Sequence, residues 1–420
     1  MRNKLKTLIT NTELQKFTVY GFGQLFNLIT PLLVIPYIVS ICGIENYGKM
    51  SIGMAISFFL MVFIDYGSDI IGVKDAAVNR DNSIELEQIF LKTFSLKLVL
   101  LLIVLLICSL IFYFIPFFNT EKELFFLGLP ILVGQFLNPT WFLQGIENFK
   151  WITILTIISK FIYLFGIFFF INQKGDYIYI NLWWGIGTIV ANVLTCYYIL
   201  KKHSFSLKRV SNIEVIQLLK DNFSIFFSQI FVSLQMYAPI MLIGFFGNNI
   251  LAGQYKIVEQ IIVVFKTYIF LFFNFMYPRV CYLLDKSIKQ GIHFWKLFNG
   301  INFIFILISM ILIYCFSFQA VSYFTKSNIQ EICDLLKLAV LIPLLLSISI
   351  PLKQLLLGNN QQQLYIRVTM FMVIINLIAM IALMPFYKIY GVIISLIFTE
   401  AITIFIYYSN LKTVFKESIA

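Results

Sequence analysis

The sequence predicts an all-α integral membrane protein of about 12 transmembrane helices in two six-helix lobes, with both termini cytoplasmic. Three observations predict it. Of the 420 residues 60% are apolar and 12% charged, with mean hydropathy +0.89, a balance no soluble domain carries. The apolar residues fall in runs of membrane-crossing length broken by short polar loops. The basic residues gather on alternate loops.

The first half divides into spans at about 17–41, 50–71, 93–118, 124–142, 151–172 and 177–200. The second divides at about 222–246, 255–280, 297–318, 332–356, 365–385 and 391–408. Between the halves lies KKHSFSLKRVSNIEVIQLLKD (Lys201–Asp221), too polar to cross a bilayer and too short to be a domain. This gives an N-lobe of residues 1–200, a basic cytoplasmic connector of 201–221 and a C-lobe of 222–420.

Charge sets the expected orientation. The odd-numbered loops hold one cation each: Lys49, Lys122, Lys174, Lys256, Lys326 and Lys388. The termini, the connector and the other even-numbered loops hold most of the rest, which places them inside. That distribution accounts for the net charge of +11 without a nucleic-acid partner. The basic start, MRNKLKTLITNTELQKF, has no small-residue cleavage site after the first span, so that span is expected to be retained.

No loop is large enough to house a catalytic domain, and no P-loop, HExxH or nucleophile elbow is present. The six cysteines and two histidines lack ligand spacing. The expectation is a chain that is not an enzyme, with no catalytic residue, metal or cofactor, which leaves room for coupling to a proton or sodium gradient.

The halves read as an internal duplication. Pro130 and Gly145 stand 15 residues apart at the fourth span, as Pro343 and Gly358 do at the tenth. Pro139 and Pro351 kink these spans near their cytoplasmic exits, and Pro31, Pro36 and Pro239 stand in the first and seventh as candidate gating kinks. An even number of spans per half gives both copies one orientation. Two such bundles facing across a central cavity make an alternating-access transporter.

An ionisable group at mid-membrane depth costs about 2.5–3.5 kcal/mol on insertion scales, so each needs a reason. Lys160 lies ~14 Å into the fifth span. Lys266 and Glu400 are similarly deep in the eighth and twelfth, with Glu259 two turns before Lys266 on the same face. One reading is a cationic lumen for an anionic head group; the other is an internal salt bridge of Lys266 or Lys160 with Glu400. Intramembrane charge favours the lumen for the two lysines, whereas for Glu259 and Glu400 the readings balance. Lys353, after Pro351, is a candidate for the inner gate, and Lys97 is expected to snorkel to the interface. Trp141, Trp151, Trp183 and Trp184 read as interfacial belt residues.

Three motifs carry a family resemblance: LLVIPYIVSICGIENYGKMS (Leu32–Ser51), PTWFLQGIENFKWIT (Pro139–Thr153) and FFGNNILAGQYKIVEQ (Phe245–Gln260). With the twelve-span layout they resemble the polysaccharide-transport branch of the multidrug/oligosaccharidyl-lipid/polysaccharide (MOP) flippase superfamily, in particular Wzx-type O-antigen flippases. The resemblance implies a MATE-like two-lobe fold in the bacterial inner membrane, with a cation-lined central cavity. It implies translocation of an undecaprenyl-pyrophosphate-linked oligosaccharide, an O-antigen or capsule repeat unit of lipopolysaccharide or polysaccharide biosynthesis. Membrane lipids, a polysaccharide polymerase and chain-length machinery are the implied partners. Two alternatives stand beside it: a MATE-like drug or cation antiporter, whose lumen should be rich in carboxylates and aromatics, and a membrane-embedded polymerase or glycosyltransferase, which needs a loop this chain lacks.

Overall fold

The computed structural model describes residues 11–206, 210–359 and 361–417, with side chains described between 21 and 412. Lys208 and Arg209 of the connector, and Arg2, Lys4 and Lys6, lie outside the described residues.

Among the described residues every regular element is helical. The first unit runs α1 (Asn11–Asp65), α2 (Ile71–Val78), α3 (Ser83–Phe114), α4 (Pro116–Asn119), α5 (Lys122–Gly128), α6 (Pro130–Phe136), α7 (Thr140–Gly145), α8 (Phe149–Phe170) and α9 (Ile180–His203). Next come α10 (Asn212–Phe246), α11 (Asn249–Lys286), α12 (Ile288–Cys315), α13 (Ser317–Phe324), α14 (Ile329–Ala339), α15 (Leu341–Gly358) and α16 (Gln362–Glu417).

Ten stretches of the described residues are long and apolar enough to cross a membrane. Two of them, in α1 and α16, are 45 and 51 residues long, too long for one crossing. Each breaks at one non-helical residue: Gly43 (φ 83°, ψ 163°) and Lys388 (φ 51°, ψ −129°). Splitting both gives the twelve spans expected. The segments after Cys42 and before Gly391 are therefore not open loops. Helix meets helix at a single residue, and at Gly43 glycine reaches positive φ without a Cβ penalty.

Local signals explain most of the ends. Asn82 caps α3 by accepting from the amides of Ile84 (3.2 Å) and Glu85 (3.3 Å). Asn248 caps α11 by accepting from Leu251 N (2.9 Å). Pro130 opens α6, and Pro139 stands at the start of α7, so the fourth span is three short helices. Pro31, Pro36, Pro239 and Pro351 lie inside α1, α10 and α15.

The chain forms two compact units, Met1–Tyr237 and Ala238–Ala420, so the division falls inside α10, one residue before Pro239. The first unit has a core around Phe90, Trp141, Phe142 and Ile199. The second has cores around Val280, Leu355 and Met372 and around Ile269, Ile306 and Val340. Outward faces remain apolar: Leu102 and Leu106 of α3 and Phe161 and Phe169 of α8 are all exposed. A contiguous apolar exterior over helices of this length fits lipid.

Two sequence expectations are corrected. Trp141 is not a belt residue: it is 1% exposed and packs on Gly72 of α2 and Phe90 of α3. Lys97 does not snorkel, because it is fully buried against a carboxylate, as described next.

Candidate substrate cavity

The last residue of the long helix α1 is Asp65. There the chain turns through two residues of positive φ, Tyr66 (46°) and Gly67 (79°), before α2. The turn is held in place by Tyr66 stacking on Phe226 of α10 (4.3 Å between centroids) and by Asn222 Nδ2, which donates to Tyr66 O (3.5 Å). It presents Asp65 to the interior of the unit. Lys97 Nζ donates to Asp65 Oδ1 at 2.9 Å, Gln135 Nε2 donates to Oδ2 at 2.5 Å, and Ser68 Oγ donates to Oδ1 at 3.1 Å. Asn138 Nδ2 then donates to Gln135 Oε1 (3.4 Å), so α1, α3 and α6 are tied by one polar chain. A carboxylate satisfied on both oxygens and a lysine satisfied by it are what burial demands.

This network forms part of the wall of a cavity of about 460 Å³. Asp65, Asp69, Gln135 and Asn138 line one side, and Gln229, Ser233 and Tyr237 of α10 line another. Phe58 and Trp184 add aromatic surface, and Asp69 lies within electrostatic and hydrogen-bonding reach of Asp65. Behind Trp184 stands Lys160: its Nζ sits 3.5 Å from the Trp184 ring centroid, and the residue is 7% exposed. Lys160 forms no ion pair among the described residues, so the ring face is the stabilising partner identified for its charge. Close approach of α8 and α9 makes this possible. A Cβ on Gly187 would come within 2.6 Å of Ser159 O, one residue before Lys160.

In the second unit the expected residues divide between two environments. Lys266, half-buried in α11, lies within electrostatic reach of Glu259 and Glu400 but forms no ion pair among the described residues. Glu259 pairs directly with Lys256 instead (2.6 Å), one turn away. Glu400 of α16 accepts a hydrogen bond from Ser349 Oγ of α15. Lys353 sits over the rings of Tyr365 (4.4 Å) and Phe273 (5.4 Å), beside Pro351, whose carbonyl accepts from Trp295 Nε1 (3.0 Å).

The structure thus brings Lys266, Glu259 and Glu400 into one charged neighbourhood and sets Lys160 against Trp184. Sequence reasoning did not find the Lys97–Asp65–Gln135 network or the place of Trp184 in the cavity wall. A signal for the former existed: Asp65 and Lys97 carry opposite charge at the ends of consecutive, antiparallel spans, and so at similar depth.

These elements define a polytopic, all-helical membrane fold. Solved structures of 13% identity share it. An inward-facing multidrug resistance MATE family transporter of the MOP superfamily matches with TM-score 0.67 over 92% of this chain and 96% of its own. The lipid II flippase MurJ matches with TM-score 0.73 over 94% of this chain and 87% of its own. Residues 14–282 match the family model described as polysaccharide biosynthesis protein, and the chain belongs to that family. Two relatives carry the name "Putative O-antigen transporter". The one from Escherichia coli (strain K12) is 24% identical over 63% of this chain and 64% of its own length. The one from Shigella dysenteriae is 21% identical over 92% and 96%. The match therefore spans just under two thirds of the first relative and nearly all of the second.

Proposed function

We propose that this chain is a flippase that carries an undecaprenyl-pyrophosphate-linked oligosaccharide, an O-antigen or capsule repeat unit, across the bacterial inner membrane by alternating access. It is a transporter and not an enzyme. The family, the names of its relatives and the fold it shares with the lipid II flippase support this reading. The observation that carries it is Lys160: a buried lysine, unpaired by any described carboxylate, behind Trp184 of a cavity whose wall holds amides, hydroxyls and aromatic rings together with Asp69 and with Asp65, which Lys97 pairs. Such a surface suits a substrate that joins an anionic pyrophosphate to a hydroxylated glycan. Lys266 supplies a second positive group in the C-terminal unit, and Lys353 with the prolines at 31, 36, 139, 239 and 351 serves the gates. Termini and connector face the cytoplasm, the driving force is a proton or sodium gradient, and a polymerase with its chain-length machinery receives the product.

Deleting the gene tests this. Mature surface glycan should disappear while lipid-linked precursor accumulates on the cytoplasmic leaflet. Normal surface glycan in a strain with no second flippase would falsify the reading.

One observation favours a drug or cation antiporter: Asp65 and Asp69 share the cavity wall with Phe58, Trp184 and Tyr237. Lys97 neutralises Asp65, however, and Lys160 adds a positive charge next to Trp184, so the wall is not the anionic surface an organic cation needs. Drug susceptibility of the deletion strain separates the two, since an antiporter predicts sensitisation with the glycan unchanged.

A further inference from the structure

The C-terminal unit holds a second cavity, of about 440 Å³, where α11 begins and α16 breaks. Its wall combines aromatic rings with polar side chains. The segment PFYKIY (Pro385–Tyr390) contributes three aromatic rings, and all are open: Phe386 is 81% exposed, Tyr387 57% and Tyr390 41%. Lys388, at the break itself, holds a left-handed backbone that a lysine adopts only under strain. That turn leaves rings from both sides of the break on a single cavity. Strain of this kind persists where surrounding structure enforces it, and it clusters at ligand sites.

Across the cavity the polar groups are fixed. Gln254 Nε2 of α11 donates to Glu331 Oε2 of α14 at 2.6 Å, and Asn328 Nδ2 donates to the same oxygen at 3.1 Å. Both bonds fall on Oε2, so Oε1 keeps its acceptor capacity among the described residues. The cavity therefore combines exposed aromatic faces with an oriented carboxylate and amide, and it carries one acid, Glu331, and one base, Lys388.

This chemistry selects a ligand class. Aromatic faces take the C–H face of a pyranose ring, while a carboxylate and an amide bond its hydroxyls. With one acid and one base the wall carries no net positive charge, so it offers a pyrophosphate no cationic clamp. A lipid-belt role explains tyrosines but not a carboxylate clamped by two amides. We infer that this cavity is a carbohydrate subsite, which holds the glycan of the lipid-linked substrate at the periplasmic end of the C-terminal unit. The inference rests on the flippase reading and on the orientation proposed with it.

The test uses the full-length protein in lipid nanodiscs. The probe is the free oligosaccharide released by mild acid from the host strain's lipid-linked precursor, read by saturation-transfer difference NMR. Wild type should bind it, with transfer strongest to the ring protons. Tyr387→Ala with Tyr390→Ala should weaken binding at least tenfold, and Glu331→Gln should weaken it too. Tyr387→Phe with Tyr390→Phe, which keeps both rings, should bind nearly as well as wild type, which guards against misfolding. Absence of binding by wild type, or equal binding by the double alanine variant, overturns the subsite. The deletion phenotype reports separately on the flippase reading. If deletion abolishes surface glycan while the double alanine variant binds and restores it normally, the subsite fails and the flippase stands.

Discussion

Lys97 Nζ lies 2.9 Å from Asp65 Oδ1, and the lysine side chain is 1% exposed. The pair joins α3 to the end of α1, and Gln135 extends it to α6. Deleting one member of a buried pair strands the other charge, which costs about 3–5 kcal/mol. Replacing both with apolar groups of similar volume is far milder. Lys97→Met and Asp65→Asn should each reduce monodisperse protein and lower the unfolding midpoint in detergent. Lys97→Met combined with Asp65→Leu should recover most of the loss. Single variants as stable as wild type would show that the pair contributes nothing to the fold.

Lys160 should matter for transport more than for folding. A desolvated cation–π contact contributes about 2 kcal/mol, and Trp184 provides it. Lys160→Arg and Lys266→Arg should keep partial transport, whereas the alanine variants lose most of it at normal expression. Under the salt-bridge alternative, Lys266→Ala lowers folded protein and Glu400→Gln restores it. Transport per folded molecule decides between them, and full activity in the Lys160→Ala, Lys266→Ala double variant contradicts the cationic site.

Gly187 should be intolerant of a side chain. Its added Cβ would meet Ser159 O at 2.6 Å, a backbone atom that cannot swing aside, so α8 and α9 must separate. Overpacking of this kind costs roughly 1–3 kcal/mol. Gly187→Val should lower the unfolding midpoint and displace Lys160 from Trp184, reducing transport further than stability alone explains. A Gly187→Val protein that matches wild type in both would show that the contact relaxes freely.

Orientation has its own test. A reporter active only in the periplasm should stay silent when fused after Lys208 and report after Asn248. The reverse pattern contradicts the charge-based orientation and the direction of transport with it.

Helical class, span number and family were legible because hydropathy and loop charge are local properties of the sequence. The junctions were less so. Gly43 lies in a polar stretch that reads as a loop, yet only one residue departs from helix there. Lys97 read as a snorkelling residue because its position near a span end is visible in the sequence, while its partner is 32 residues away across a turn. Trp141 failed for the same reason: its neighbours Gly72 and Phe90 come from other helices, and only packing shows that its ring is buried between them. Lys160 stands out in the sequence because depth alone marks it. Its contact with Trp184 depends on how α8 and α9 pack, which composition does not encode.

Reconstitution reads transport itself. Purified protein is placed in vesicles loaded with lipid-linked oligosaccharide that carries a fluorescent label on the glycan. A membrane-impermeant glycosidase added outside then reports how much glycan becomes accessible with time. If the chain flips this substrate, the accessible fraction rises from the outer-leaflet share toward completion, and the Lys160→Ala, Lys266→Ala double variant slows the rise at equal protein density. An accessible fraction that stays at the protein-free level, with the protein folded in the vesicles, would contradict it.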